Sequence, residues 1–170
     1  MLKKLPSEFE RGNISVKDGR FIYDLIIQKS YTHGLEIGTS NGYSALWQGL
    51  AFKETRGKLL TVEIDSIAGR EAQENFIKAG LGNIIDLKID DAKNVLKKIN
   101  EKFDFIFIDT GESGLDFFSL TYPFLCNGGT IVIHNVKKED PDLIKILENR
   151  DFNAKIKSHI FYNILICTKK

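Results

Sequence analysis

Two glycines and a serine are closely spaced in the segment LEIGTSNGYSALW, which runs from Leu35 to Trp47. Gly38 and Gly42 bound a turn after an apolar segment, and Ser40 lies between them. A glycine-rich turn between a strand and a helix presents free backbone N–H groups, and cofactors bind there in α/β sheets. The spacing Gly-x-x-x-Gly lacks the middle glycine that lets a backbone approach a pyrophosphate. The turn therefore suits a ligand without a diphosphate.

Two acidic residues accompany this turn. Glu36 lies just before it, where a carboxylate repels phosphate and attracts a cationic group such as a sulfonium or an amine. Glu63 ends the next apolar segment, at roughly the 20-residue separation at which an acidic residue accepts both hydroxyls of a ribose. The alternative for Glu63 is a surface ion pair. Its position after the glycine turn favours ribose binding.

A third acidic residue, Asp109, follows the most apolar segment of the chain, FDFIFI. Such a segment is typical of a strand at the centre of a sheet. A carboxylate at the carboxyl end of a central strand lies where ligands bind in open α/β sheets. Asp109 is therefore a candidate active-site residue.

Alternating strand and helix patterns must position these side chains. They predict an α/β fold, a three-layer Rossmann-like domain with a mixed sheet. The predicted strands cover His33–Ile37, Lys58–Ile64, Ile84–Ile89, Phe103–Ile108, Thr130–Ile133, Phe152–Lys157 and Ile160–Thr168. The predicted helices run from N-cap Ser15 through Lys29 and over Tyr43–Ala51, Ser66–Ala79, Gly114–Leu125 and Asp140–Asn149. A further helix is predicted to follow Asp90-Asp91-Ala92 and to end at about Ile99, and Cys126–Gly129 is predicted to be a turn.

Length and composition indicate one globular domain over residues 1–170, with a lead-in at 1–13 and an N-terminal helix within 14–30. The net charge of +1 gives no sign of a nucleic-acid or membrane partner. Cys126 and Cys167 are far apart and outside any CxxC motif, so free thiols are expected. No signal peptide or membrane-spanning run is recognised, and the expected location is the cytoplasm.

The motifs together resemble those of class I S-adenosylmethionine-dependent methyltransferases. LEIGTSNGYSALW is similar to the LE-x-G-x-x-x-GYSA motif of the catechol and caffeoyl-CoA type of small-molecule O-methyltransferase, and the resemblance extends from about Ile14 to the C-terminus. It implies a seven-stranded mixed sheet of order 3-2-1-4-5-7-6 with helices on both faces. It also implies S-adenosylmethionine as cofactor and in-line methyl transfer to an oxygen of a small-molecule acceptor.

The resemblance assigns expected roles to individual residues. Glu63, in VEID, would hold the ribose, and Asp91 with Ala92 would contact adenine; Asp90 stands where the family usually has glycine. Ser44, at a helix N-terminus, would meet the methionine carboxylate, and Glu36 would favour the amino group. The residues expected to bind the cofactor are Glu36, Gly38, Ser40, Gly42, Ser44, Glu63, Asp91, Ala92 and Asp109.

Asp109, His134 and Asn135 are the expected acceptor-side residues, with Asp109 and His134 as the catalytic pair. In the family the aspartate after FDFIFI and an Asp-Asn pair bind a divalent metal, and here His134 replaces that second aspartate. One interpretation is a metal site of Asp109, His134 and Asn135, for Mg²⁺ or, because of the histidine, Mn²⁺, Fe²⁺ or Zn²⁺. A second makes His134 the general base, and a third has His134 hydrogen-bond Asp109 and order the pocket floor. The usual catalytic lysine is also absent, since Glu112 stands at about its position.

Three alternatives to a small-molecule methyltransferase are compatible with the sequence. A nucleic-acid methyltransferase would show a basic face beside the pocket and steep salt dependence of binding. A non-catalytic module would bind S-adenosylmethionine without turnover, and a nicotinamide dehydrogenase is a more distant alternative. The family's N-terminal extension and the segment after strand five look short, which predicts an open acceptor site or a completing partner. A monomer and a homodimer are both compatible with the sequence.

Overall fold

The computed structural model describes residues 12–110, 114–158 and 163–170. Over these residues strands and helices alternate along most of the chain. The helices are α1 (Val16–Lys29), α2 (Tyr43–Thr55), α3 (Ser66–Lys78), α4 (Ala92–Lys98), α5 (Gly114–Thr121) and α6 (Pro141–Glu148). The strands are β1 (His33–Ile37), β2 (Lys58–Glu63), β3 (Ile85–Ile89), β4 (Phe103–Ile108), β5 (Leu125–Val136), β6 (Phe152–Ser158) and β7 (Asn163–Lys169).

The seven strands form one mixed sheet of order β3-β2-β1-β4-β5-β7-β6, as predicted. β1 to β5 are parallel, and β7 runs antiparallel to both β5 and β6. β1 lies between β2 and β4, so the carboxyl ends of these three strands meet at one edge. That edge is where ligands bind in sheets of this kind.

The central strand β4 explains why helices cover both faces of the sheet. Its residues alternate between two apolar clusters, as the period of two in a strand requires. Phe105 and Phe107 belong to the cluster that includes residues of α1, α2 and α3. Ile106 and Ile108 belong to the cluster that includes residues of α4, α5 and α6. The result is the expected three-layer arrangement.

Several helix starts also agree with the sequence. The Ser15 side chain accepts the backbone N–H of Asp18 and caps α1. Asp65 caps α3, and Asp91 caps α4. These short polar side chains satisfy backbone donors that have no partner within the helix. These three helices therefore begin at the capping residues that the sequence indicated.

One predicted turn is wrong. Cys126–Gly129 lies within β5, which begins at Leu125 instead of Thr130. The pairing of β5 with β4 shifts register here, because Phe103 pairs with Leu125 while Phe105 pairs with Thr130. The glycines of this segment therefore mark an irregularity inside a strand.

The predicted helix Gly114–Leu125 is also too long. It ends at Thr121 and is followed by a short 3₁₀ turn, Tyr122–Phe124. Pro123 lies in this turn, and a proline disfavours helical geometry at the residue before it. The predicted start of the last strand at Ile160 and the position of Glu112 lie outside the described residues.

Two further findings concern the whole of the described chain. Cys126 and Cys167 are free thiols, and Cys167 is buried. No described helix has the length and apolar character needed to cross a membrane.

Candidate active site

Two adjoining cavities open at the carboxyl edge of the sheet. The larger has a volume of about 480 Å³ and the smaller about 220 Å³, and Gly38, Ser40 and Asp109 line both. Two grooves of about 940 and 1030 Å³ lie elsewhere, but neither includes the glycine turn. The predicted cofactor residues that line the larger cavity are Gly38, Ser40, Glu63, Asp91, Ala92 and Asp109.

Gly38 allows the ends of β1 and β4 to approach each other. Its φ is +93°, and a Cβ at this position would lie 2.3 Å from the backbone carbonyl oxygen of Asp109. The backbone N–H of Asp109 in turn donates to the carbonyl of Ile37 at 3.0 Å. Any side chain at Gly38 would push these strand ends apart. The glycine therefore keeps Asp109 beside the turn.

The Glu63 carboxylate is fixed against the wall of the larger cavity by two backbone donors. It accepts the N–H of Ser40 at 2.6 Å and that of Asp65 at 2.9 Å. A carboxylate has about four acceptor positions, so two remain for a ligand. Glu63 is therefore held in place and still able to accept hydrogen bonds from a sugar.

Gly42 lines neither cavity and instead allows the glycine turn to pack closely on α3. Its φ is +88°, and a Cβ there would lie 2.6 Å from the ring of Phe76 in α3. Ser40 also has a positive φ, of 49°, which is uncommon for a residue other than glycine. The turn between β1 and α2 is thus tightly constrained from both sides, with Ser40 at the cavity and Gly42 against α3.

Glu36 lies behind the glycine turn and is completely buried. Its carboxylate accepts hydrogen bonds from Ser44 at 2.7 Å and from Gln48 and Thr61. Burial raises the pKa of Glu36 to about 7 and outweighs these hydrogen bonds, which lower it. Glu36 does not line either cavity, whereas Ser44 lines the smaller one. Ser44 is thus the hydrogen-bond partner that links Glu36 to the smaller cavity, and Glu36 also interacts electrostatically with Asp109, which lines both cavities.

The turn after β3 accommodates the departure from glycine at Asp90. The Asp90 carboxylate accepts the backbone N–H of Asp91 at 2.8 Å and the Asn94 side chain at 3.2 Å. The hydrogen bond from Asn94 lowers the pKa of the Asp90 carboxyl most, and the hydrogen bond from the Asp91 backbone lowers it further. Asp91 caps α4 by accepting the N–H of Lys93. Asp90 and Asp91 both line the larger cavity. The turn therefore stays at the cavity wall although Asp90 stands where the family usually has glycine.

His134 lies between two carboxylates, only one of which the sequence pointed to. Its Nδ1 is 3.4 Å from Oδ1 of Asp109, and its Nε2 is 3.9 Å from Oδ2 of Asp18. Burial alone would lower the pKa of His134, but the hydrogen bonding and negative charge of Asp109 and Asp18 raise it to about 9. These two contacts favour the protonated form of the ring. We call this arrangement the Asp18–His134–Asp109 bridge.

Asp18, in the first turn of α1, is the site residue that sequence reasoning missed. It is completely buried, and Oδ2 accepts the hydroxyl of Ser15 at 2.6 Å. Gly19 allows α1 to pack closely on α2, because a Cβ there would lie 2.3 Å from the indole of Trp47. The only signal in the sequence was the spacing Ser15-x-x-Asp18, which is typical of a helix cap and gives no indication of burial.

The contacts of His134 bear on the predicted metal site of Asp109, His134 and Asn135, which stays a prediction. A histidine binds a metal through a nitrogen lone pair, whereas an imidazolium has two donors and no lone pair. Asn135 lines the smaller cavity with Asp109, and its φ is +60°. Within residues 12–110, 114–158 and 163–170, no group of three or more histidine, cysteine, aspartate or glutamate side chains could hold a metal ion, but a set completed by the Asn135 amide is not of this kind.

The protonated ring also argues against His134 as a general base, since a base must be neutral before it can take a proton. Of the three interpretations drawn from the sequence, the contacts favour the third, in which His134 pairs with Asp109 and orders the cavity floor. The structure thus places Asp109 and Asn135 on the wall of the smaller cavity, whereas His134 is buried beside Asp109 and lines neither cavity. Their catalytic and metal-binding roles stay predictions.

Comparison with known proteins identifies the family of the chain. Residues 3–161 match the sequence profile of a family described as O-methyltransferase. A catechol O-methyltransferase of Niastella koreensis is 26% identical over 159 residues, which are 91% of this chain and 70% of that protein. A protein of Dictyostelium discoideum named "Probable caffeoyl-CoA O-methyltransferase 1" is 30% identical over 60% of this chain and 46% of its own.

Solved structures share the fold. The O-methyltransferase from Bacillus cereus, determined in complex with SAH, superposes with a TM-score of 0.85 at 21% identity and covers 96% of this chain and 85% of its own. At this identity the likeness establishes the fold alone. The chain spans 70% of the Niastella relative and about half, 46%, of the Dictyostelium one. Because the family profile matches almost the whole chain, the protein belongs to the O-methyltransferase family.

Proposed function

We propose that this chain binds S-adenosylmethionine in the larger cavity and transfers its methyl group to an oxygen of a small-molecule acceptor at the smaller one. The observation that carries the proposal is the convergence of Gly38, Ser40, Glu63 and Asp109 on two adjoining cavities. The family membership supports the same reaction. When bound, S-adenosylmethionine would supply an electrophilic methyl group on a sulfonium.

The larger cavity has the chemistry that a nucleoside needs. Its volume of about 480 Å³ lies in the usual range for small-molecule sites. Glu63 has acceptor positions left for two ribose hydroxyls, and hydrogen bonds to a carboxylate are among the stronger ones. Ile37, Val62 and Ala92 add apolar wall. We therefore assign Glu63 to the ribose and Asp91 with Ala92 to the base.

The smaller cavity has the chemistry that the methionine end and the acceptor need. Ser44 lines it near the N-terminus of α2, where free backbone N–H groups favour a carboxylate. Asp109 lines both cavities, so its negative charge lies close to where a cationic sulfonium would be placed. We assign Asp109 and Asn135 to orienting the acceptor hydroxyl beside the reacting methyl group.

Calorimetric titration of the purified full chain with S-adenosylmethionine and with its demethylated product tests the cofactor assignment. Binding of both is expected. The Glu63→Ala variant should bind each roughly tenfold to a hundredfold more weakly, because it loses two hydrogen bonds to a charged group. Asp86→Asn is the matched control, since Asp86 is exposed on β3 and lies outside both cavities. Absence of binding to the unaltered chain would contradict the proposal.

Methyl transfer is tested separately with catechol and caffeoyl-CoA as probe acceptors and mass spectrometry of the products. Methylation of a hydroxyl oxygen is expected for at least one acceptor of this type. The Asp109→Asn variant should lose most of this activity. If the chain binds the cofactor but methylates only nucleic acid, the small-molecule part of the proposal is wrong and the cofactor part stands.

A further inference from the structure

Strand β3, with the sequence IDLKI, forms one edge of the sheet, since within residues 12–110, 114–158 and 163–170 it pairs with β2 alone. We propose that two copies of this chain associate through β3, whose edges pair antiparallel about a two-fold axis at Leu87 and join the two sheets into one. The residues of β3 line neither of the two cavities of the candidate site. The inference therefore stands or falls independently of the proposed function.

The backbone of β3 directs hydrogen-bonding groups away from the sheet. The carbonyl of Ile84 accepts from β2 at 2.9 Å, and the N–H of Asp90 donates to β2 at 3.0 Å. Successive residues of a strand direct their N–H and C=O groups to opposite sides, so the positions between these two alternate. The outward backbone groups therefore belong to Ile85, Leu87 and Ile89.

A two-fold axis at Leu87 brings these outward groups opposite each other. The two copies of Leu87 then exchange N–H and C=O hydrogen bonds, as a hydrogen-bonded pair of antiparallel strands does. Ile85 of one copy lies opposite Ile89 of the other. The Ile85 N–H already donates to Leu81 at 3.0 Å, but its carbonyl remains to accept the Ile89 N–H of the second copy. The backbone of β3 thus fits a second β3 in this register.

The charged side chains of β3 are complementary in the same register. Asp86 and Lys88 flank Leu87, form an ion pair at 2.8 Å within the chain and are 64% and 51% exposed. About the axis, Asp86 of each copy faces Lys88 of the other, at positions where side chains of antiparallel strands approach most closely. A slide of the register by two residues would instead oppose two aspartates or two lysines. Charge therefore selects the register that the backbone groups require.

The opposite edge of the sheet, β6, lacks this complementarity. The charged residues of β6 are Lys155 and Lys157, so a second β6 would bring no negative charge to pair with them. Lysines on an edge strand are a common protection against pairing with another chain. The charge pattern thus favours β3 over β6 as the edge that pairs with a second copy.

Exposed apolar side chains lie at both ends of the β3 edge. Ile89 is 43% exposed and lies against α3, since a Cβ at Gly69 would be 2.9 Å from it. Ile77 of α3 is 65% exposed and lies near Gly82, just before β3, where a Cβ would be 3.7 Å away. Antiparallel pairing brings Ile89 of one copy towards Ile77 of the other. Because this contact is smaller than the roughly 20–30 residues a side of a standard interface, we expect a dissociation constant on the order of 10 μM.

Sedimentation velocity of the purified full chain, from about 1 to about 200 μM, tests the association. A reversible equilibrium between monomer and dimer is expected. The Asp86→Lys and Lys88→Asp variants should each stay monomeric, because each places like charges opposite across the axis. An equal mixture of the two variants should form a dimer again, since every facing pair is then of opposite charge. Lys145→Asp is the matched control, because Lys145 forms a similar exposed pair with Asp142 at 2.7 Å on α6, and it should dimerise like the unaltered chain.

Four results of this experiment would overturn the proposal. An unaltered chain that stays monomeric at the highest concentration does not associate through β3. An oligomer larger than a dimer contradicts a two-fold contact, which closes with two copies. A dimer that the Asp86→Lys and Lys88→Asp variants form equally well uses another surface. A mixture of the folded variants that stays monomeric shows that Asp86 and Lys88 do not face each other.

Amide hydrogen exchange of the unaltered chain gives a test that needs no variant. The N–H groups of Leu87 and Ile89 should exchange more slowly at high than at low chain concentration, because pairing covers them. The Ile85 N–H is bonded within the chain and is the internal control, with no such dependence. A dimer in which the Leu87 and Ile89 amides exchange as fast as in the monomer would contradict pairing through β3.

Discussion

Glu63 accepts the backbone N–H of Ser40 at 2.6 Å and so joins the end of β2 to the glycine turn that follows β1. The contact makes one carboxylate both a structural link and a candidate ligand group. Since Glu63 also lines the larger cavity, the turn and the proposed ribose site are built together. Removal of the Glu63 side chain should therefore affect both the turn and the ligand.

Glu63→Gln separates these two functions. Glutamine keeps the shape of the side chain and one carbonyl acceptor for Ser40, but it loses the charge, and its NH₂ group replaces the oxygen that accepts from Asp65. We expect the free energy of unfolding to change by less than about 1 kcal/mol, because Glu63 lies at the edge of the cleft. The affinity for S-adenosylmethionine should fall roughly tenfold or more. Calorimetry and urea unfolding measure the two effects, and an equal loss in both would contradict the separation.

Gly38→Ala should destabilise the protein strongly. The new Cβ would lie 2.3 Å from the Asp109 carbonyl oxygen, and the φ of +93° is unfavourable for alanine. Strain of this kind costs about 1–3 kcal/mol before the clash itself is counted. Gly80→Ala is the matched control, since Gly80 also has a positive φ, +69°, but no atom within 4 Å of the added Cβ. Urea unfolding of both variants should show a clearly larger loss for Gly38→Ala; equal losses would mean that the close approach to Asp109 carries no energy.

Gly19→Ala tests the contact that brings α1, and with it Asp18, to the site. Alanine is favoured over glycine in a helix by about 1 kcal/mol, so propensity alone predicts stabilisation. The added Cβ would lie 2.3 Å from the Trp47 indole, and we expect this clash to dominate. Trp47 is the chain's one tryptophan, so its fluorescence reports the contact. A red-shifted emission and reduced stability are expected, whereas Gly82→Ala, with its nearest atom at 3.7 Å, should change neither.

Glu36 should make the protein less stable as the pH rises towards neutrality. Its pKa is raised from an ordinary value of 4.5 to about 7, so the folded state binds its proton more tightly than the unfolded state does. The resulting stabilisation is complete below pH 4.5 and is lost as the pH rises to 7, by roughly 3 kcal/mol. Glu36→Gln removes the titration. Urea unfolding across this range should show that the stability of the unaltered chain falls relative to the variant; parallel curves would contradict the prediction.

His134 should give a second loss of stability at higher pH. Its pKa is raised from 6.5 to about 9, so its contribution is complete below pH 6.5 and is lost as the pH rises to 9. The loss should reach roughly 3 kcal/mol, at about 1.4 kcal/mol for each unit of pKa. His134→Gln should remove this dependence, and His33→Gln is the control at an exposed histidine. Stability that stays level from pH 6.5 to 9 in the unaltered chain would show that the ring is not held between two carboxylates.

Much of the fold could be predicted from the sequence because its signals are local. The apolar run FDFIFI identified β4, and short polar residues such as Ser15 and Asp65 marked helix starts that the structure confirms. The strand order was implied by the family resemblance, and the structure confirms it. Local signals failed at Cys126–Gly129, where glycines suggested a turn but pairing with β4 keeps the chain in a strand.

The candidate site was predicted in part for the same reason. Glycines and strand-end carboxylates have recognisable spacing, and Gly38, Ser40, Glu63 and Asp109 do meet at one cavity. Burial has no such signature, because it depends on what packs against a residue from distant parts of the chain. Glu36 therefore looked like a ligand group although it lies behind the turn.

By itself, the sequence determined which segments form strands and helices and which residues end them at the ligand-binding edge. Only the tertiary structure decided the environment of His134. The neighbour that matters, Asp18, lies 116 positions earlier in the chain and reaches the ring because α1 packs closely on α2 through Gly19. Whether a histidine binds a metal, takes a proton or keeps one is set by the charges around it, and those charges are brought together by packing.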